Sequence, residues 1–204
     1  MKKGGCLGIG VLAVLALAVM AIMWGSGIYN GLITQDEKVK NAWGNVETDY
    51  QRRNDLIGNL VATVEQAADF ERGTLTDVIE ARSKATSINL DVENLTEENI
   101  ARFQQAQNEL NQAFLGRMNF LQENYPQLTA TQQFRDLSAQ IEGTENRINV
   151  SRNRYNEAVL EYNNAVRRVP ANLVASIFNF DVKAPFKSVE GADVAPDVRA
   201  EFGK

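Results

Sequence analysis

Arg52, Arg53, Asp55 and Asn59 fall within about two turns of one another if their segment is helical. Glu145, Asn146, Arg147, Arg152, Tyr155 and Asn156 form a second polar group later in the chain. Two kinds of chemistry fit these residue types. The planar guanidinium fork grips carboxylates and phosphates through paired hydrogen bonds, so the groups could hold a carboxylate-bearing peptide or a lipid. They could instead satisfy one another between two helices and fix the register, as a polar side chain in a coiled-coil seam does. Buried polar groups generally find partners among themselves, which favours the internal network.

Acid–base catalysis finds little support. The chain has no histidine, which excludes a histidine base, a histidine triad and every histidine metal site. No G-x-x-x-x-G-K occurs, nor a G-x-G-x-x-G after a strand pattern. A di-iron bundle would need Glu-x-x-His pairs. Glu97 and Glu98 read as a dipole-favoured helix start. No catalytic, cofactor-binding or metal residue is assigned, and the chain is read as a non-enzyme without a cofactor. A net charge of −5 disfavours nucleic acid as a partner.

For the two polar groups to meet, the helices carrying them must be antiparallel neighbours. A first helix is expected over 29–68, with Val39, Trp43, Val46, Tyr50, Arg53, Ile57, Leu60, Val64 and Ala67 alternating steps of four and three on one seam. A short helix over 70–86 presents Leu75, Val78, Ile79, Arg82 and Ala85. The third, over 95–124, carries Ile100, Phe103, Leu110, Phe114, Met118 and Leu121, with Asn94 or Thr96 as its cap, and ends before Pro126. The fourth, over 127–168, runs a seam from Phe134 through Leu137, Ile141, Thr144, Ile148, Ser151, Tyr155, Ala158, Tyr162 and Ala165 to Val169, with Thr129 and Gln132 as a capping box. No strand pattern occurs. The reading is all-α, an N-terminal transmembrane helix followed by a long antiparallel four-helix up-and-down bundle. The second helix is too short for the bundle to be uniform, and the first two segments could instead be one bent helix.

From Gly4 to Gln35 there is no charge, and Leu7 to Trp24 is nearly all apolar. Crossing a bilayer takes about 20 such residues. The core is longer than that of a cleaved signal peptide, and the single cysteine, Cys6, precedes it, so residues 1–28 are read as an uncleaved signal anchor. Lys2 and Lys3 before it favour an N-terminus inside and a body outside. The expected parts are therefore a single-pass anchor at 1–28, a bundle at 29–180 and an irregular tail at 181–204. Partners are the membrane and unidentified proteins, with self-association left open.

Two strings carry a resemblance. One is Gln51-Arg52-Arg53-Asn54-Asp55-Leu56-Ile57-Gly58-Asn59-Leu60-Val61; the other is Thr144-Glu145-Asn146-Arg147-Ile148, continued by Arg154-Tyr155-Asn156, Tyr162-Asn163 and Pro170-Ala171-Asn172. With Tyr29-Asn30, Ala42-Trp43 and Tyr125-Pro126 they resemble the LemA family of bacterial membrane-anchored helical proteins. The resemblance implies an N-terminal membrane helix, an antiparallel four-helix bundle and no enzyme activity. The long bundle, the anchor and the missing catalytic groups point to a scaffold or protein-interaction module of the cell envelope, with a ligand- or peptide-binding sensor using the polar cluster between the first and fourth helices as the alternative. Gly58 stands where the family has proline and Asn54 where it often has tyrosine, which predicts a softer bend there.

After the fourth helix, Pro170 ends it or opens a short new one. Leu173, Val174, Ile177 and Phe178 then form one apolar stripe. The stripe either dips into the membrane interface beside Arg167, Arg168 and Lys183 or caps the open end of the bundle; the modest flanking charge favours the cap.

Overall fold

Apolar residues spaced by three and four along most of the chain must be buried by helix-on-helix packing, and that is the architecture observed. A computed structural model describes residues 3–67, 73–90 and 92–187. Its helices are α1 (Lys3–Glu65), α2 (Thr76–Ser87), α3 (Glu97–Asn124), α4 (Pro126–Thr129), α5 (Gln132–Arg167) and α6 (Ala171–Ile177), with a 3₁₀ turn at Val92–Asn94. No strand occurs among the described residues. Phe70, where the second helix was expected to begin, and the tail beyond 187 lie outside them.

The division at 28/29 is not a break in the backbone. α1 spans 63 residues without interruption, about 95 Å at 1.5 Å per residue. It carries a window of mean hydropathy 2.3 with none of it buried. Val11, Leu12, Leu15, Val19, Ile22 and Trp24 all stand exposed, so this stretch is long and apolar enough to cross a membrane. Burial begins at Leu32.

Lys38 meets Glu161, Arg53 meets Glu145 and Thr63 meets Gln133, so α5 runs antiparallel to α1. Asp77 meets Arg117 and Lys84 meets Glu109, so α3 runs antiparallel to α2. α1 ends at Glu65 and α2 reverses direction, which removes the single bent helix. The capping threonine of α5 is Thr131 rather than Thr129: its hydroxyl accepts the Phe134 N–H at 3.4 Å, while Thr129 lies in α4 and bonds back to Pro126. Thr96 caps α3.

The apolar core has two parts. A near core gathers Leu32, Val39, Trp43, Val46, Tyr50, Phe103, Ile148, Tyr155 and Tyr162. A far core gathers Ile57, Leu60, Val64, Leu75, Leu110, Phe114, Phe134 and Ile141. α2 serves only the far core. Beside the near core, the loop residues Ile88, Leu90 and Leu95 and the extended residues Phe180, Ala184 and Phe186 cover the seams instead. Of the α2 face read from the sequence, Ile79 is exposed and Arg82 only partly covered.

Gly58 does not break α1. It makes room for Arg82, whose guanidinium would lie 2.9 Å from a β-carbon at that position. Arg82 Nε donates to the Asn54 carbonyl at 2.7 Å, laying the side chain of α2 across the backbone of α1. In an Arg82→Ala background, Gly58→Ala should stabilise the chain by about 1 kcal/mol from helix propensity alone. With Arg82 present the gain should vanish. Thermal melts of the full chain in detergent micelles measure both; an equal gain in the two backgrounds would show that Arg82 does not rest on Gly58.

Candidate functional site

Between the two cores lies a polar layer. Arg53, in the C-terminal third of α1, is 3 % exposed. Its Nη1 donates to Glu145 Oε1 at 2.8 Å, and its Nη2 donates to Gln107 Oε1 at 2.7 Å and the Gln107 carbonyl at 3.2 Å. The guanidinium sits 5.0 Å from the centre of the Tyr50 ring. Gln107 in turn donates to the Ala85 carbonyl of α2. Asn54 and Thr144 are buried at the same level. One layer thus ties α1, α2, α3 and α5 together.

The sequence-derived cluster divides accordingly. Arg53 and Glu145 meet. Asp55 is largely exposed and reaches Arg82 at 3.7 Å. Arg52, Asn59, Asn146 and Arg147 face outward, and among the described residues Arg147 bonds only to Thr144 of its own helix. Gln107, Arg82 and Asn54 were not placed in the cluster. An open groove of about 260 Å³ runs beside the layer, lined by Trp43, Tyr50 and Phe103 with Glu47 and Asp55. Neither Arg52 nor Arg53 lines it, so a carboxylate ligand would meet carboxylates there.

Tyr155 and Asn156 do different work. The Tyr155 hydroxyl donates to the Ala184 carbonyl at 2.8 Å, and the Tyr162 hydroxyl to the Asp181 carbonyl at 2.9 Å. Asn156 both donates to the Phe186 carbonyl and accepts its N–H; Asn163 does the same with Lys183. Each asparagine amide imitates one rung of a β-ladder. The spacing explains why this works. Seven residues of α5 separate the two Tyr-Asn pairs, about 10.5 Å, and three residues of extended chain span about 10 Å. Residues 181–187 are therefore zipped antiparallel along α5, and Phe186 is delivered into the near core against Trp43, Phe103 and Tyr155. Arg152 lies over the Phe186 ring and donates to the Lys187 carbonyl.

The sequence model of the LemA family matches residues 42–202. The chain belongs to the LemA family. No curated protein matches it. The LemA match starts at Ala42, beside Trp43, and takes in the polar layer and both Tyr-Asn pairs while leaving the exposed apolar stretch outside. In this LemA chain the repeated Tyr-Asn dipeptide has a local physical role: it fastens the end of the body.

A second fastening sits nearer the apolar stretch. Asp36 is paired with Lys183 Nζ at 2.9 Å and Lys40 Nζ at 3.1 Å. Burial pushes its carboxyl upward, but the hydrogen bonds and charges of the two lysines outweigh this and hold it below its ordinary 3.8. A value lowered by folding gives stability that is complete above 3.8 and lost as pH falls through the folded value. Hydrogen-exchange protection of the Lys183 and Phe186 amides, taken relative to the intrinsic rate at each pH, should therefore fall on acidification. Asp36→Asn should show the weaker protection already at neutral pH. Equal protection in the two proteins at neutral pH would show that Asp36 does not hold the segment.

Proposed function

We propose that this LemA chain is a non-enzymatic, membrane-anchored helical scaffold or protein-interaction module of the bacterial cell envelope, crossing the membrane once with its body outside. The observation that supports it is where the polar groups go. Arg53, Glu145, Gln107, Tyr155, Asn156, Tyr162 and Asn163 are spent on one another and on the returning segment, leaving exposed helix faces rather than a reacting site. A continuous α1 joins those faces stiffly to the apolar stretch. The alternative, a sensor gripping a carboxylate ligand through the cluster, is disfavoured by the acidic groove. Photo-crosslinkers at the exposed Leu115, Val150 and Leu160 should trap the same non-self polypeptide in native membranes. Adducts only with itself, or none, would count against the scaffold. A membrane-impermeant thiol reagent should label Val150→Cys in a Cys6→Ser chain from outside intact cells; labelling only after lysis would reverse the orientation.

A further inference from the structure

Most large apolar residues exposed on the body stand singly, as Ile79, Leu115, Val150 and Leu160 do; single ones are ordinary. The exception is the α6 corner. Leu173, Ile177 and Phe178 are 64 %, 73 % and 55 % exposed, with Val169 and Val182 also exposed in the same stretch of chain. The residues of α6 that close the near core are Ala175 and the partly buried Val174. The cap expected of Leu173, Ile177 and Phe178 is thus formed by smaller neighbours, and their own side chains are left outward. Apolar clusters of this kind mark interaction surfaces.

The position of the cluster identifies what covers it. The Phe178 ring centre is 4.7 Å from that of Tyr29 on α1. Tyr29 lies five residues beyond Trp24, about 7 Å along the helix, and Trp24 closes the exposed apolar run. The polar layer of one leaflet is about 5–7 Å deep. α6 is therefore held at headgroup depth by the same helix that would cross the membrane, with exposed Arg167 and Arg168 just before it. Lys183 is taken up by Asp36 and does not contribute.

We propose that α6 and Phe178 lie in the headgroup layer of the bilayer crossed by α1, giving the body a second membrane contact. This rests on reading the apolar stretch of α1 as a membrane anchor. Contact at two points fixes the tilt of the body, which otherwise pivots about a single helix. From Tyr29 to Glu65 that body extends about 55 Å, so a fixed tilt sets where its far end stands above the membrane.

The test uses the full Cys6→Ser chain in vesicles of mixed zwitterionic and anionic phospholipid. Single cysteines at Val19, Ile177 or Val150 carry a polarity-sensitive fluorophore, and lipids bearing a shallow spin-label quencher report depth. We expect Val19 and Ile177 to be blue-shifted and quenched, and Val150 neither. Leu173→Asp should reduce quenching at Ile177 and leave Val19 unchanged. Val19 quenched with Ile177 behaving like Val150 overturns the α6 contact and keeps the anchor. Val19 unquenched overturns the anchor and the contact together. A blue shift at Ile177 that disappears when vesicles hold at most one chain assigns the surface to a second copy and overturns the proposal.

Discussion

Phe186→Ala is expected to lower the unfolding free energy of the full chain in detergent micelles by about 3–5 kcal/mol, the range for emptying a buried aromatic site. Phe186 is 5 % exposed and touches Trp43, Phe103 and Tyr155 from α1, α3 and α5. Its loss opens a void where α2 does not reach. The ladder should weaken with it, because the Asn156 rung closes on the Phe186 main chain itself. A spectroscopic sign should follow. Burial raises the hydroxyls of Tyr155 and Tyr162 above their ordinary 10.0. Their raised values give stability that is complete below 10.0 and lost as pH rises toward the folded values. In Phe186→Ala both tyrosines should titrate nearer 10.0, read by ultraviolet absorbance. Phe178→Ala is the control, since that ring is largely exposed; it should cost no more than about 1 kcal/mol. Comparable losses for the two variants would show that the segment does not carry the near core.

The seams were legible because their period is local. From Val39 to Val64 every position read on α1 is buried, Arg53 included. On α5 the reading holds from Phe134 to Tyr155 apart from a half-covered Leu137, then shifts: Val159 and Val166 are fully buried, Ala158 and Ala165 only partly, and Val169 is exposed. A straight helix drifts about 20° per heptad from a strict seven-residue repeat, and over a helix of 36 residues that moves the inward face by one position. The returning segment was not legible, and 181–187 was read as irregular tail. It lacks a regular period, and its partners hold main-chain carbonyls and amides that no residue type discloses. The available signal lay on α5, where Tyr-Asn recurs at a seven-residue interval. Tyr155 and Asn156 were instead assigned to Arg53 because shared helix and polarity looked like proximity. Gln107 was missed for a similar reason: a lone glutamine within a polar helix gives no sign that it faces inward.

The polar layer makes the second large prediction, and its size depends on which partner is removed. Glu145→Ala strands the Arg53 charge between two apolar cores; a broken buried pair costs about 3–5 kcal/mol, and the lower end applies because Glu145 is 34 % exposed and water can replace part of it. Arg53→Ala should cost about 2–4 kcal/mol, largely from the cavity. Arg53→Met fills the same space without charge, and such replacements are often neutral or stabilising. The expected order of melting temperatures puts Arg53→Met above both Arg53→Ala and Glu145→Ala. Arg147→Ala should change stability by about 0.5 kcal/mol or less, since Arg147 is exposed. What Arg53→Met should lose is register. Thr63 and Gln133 touch at 3.2 Å across α1 and α5, so cysteines at these two positions report alignment by disulfide formation. We expect a lower yield in Arg53→Met than in the parent at equal helicity, because two apolar seams without a polar layer can slide by a turn. An undiminished yield would reduce the layer to a local ion pair and leave register to the loops and the zipped segment.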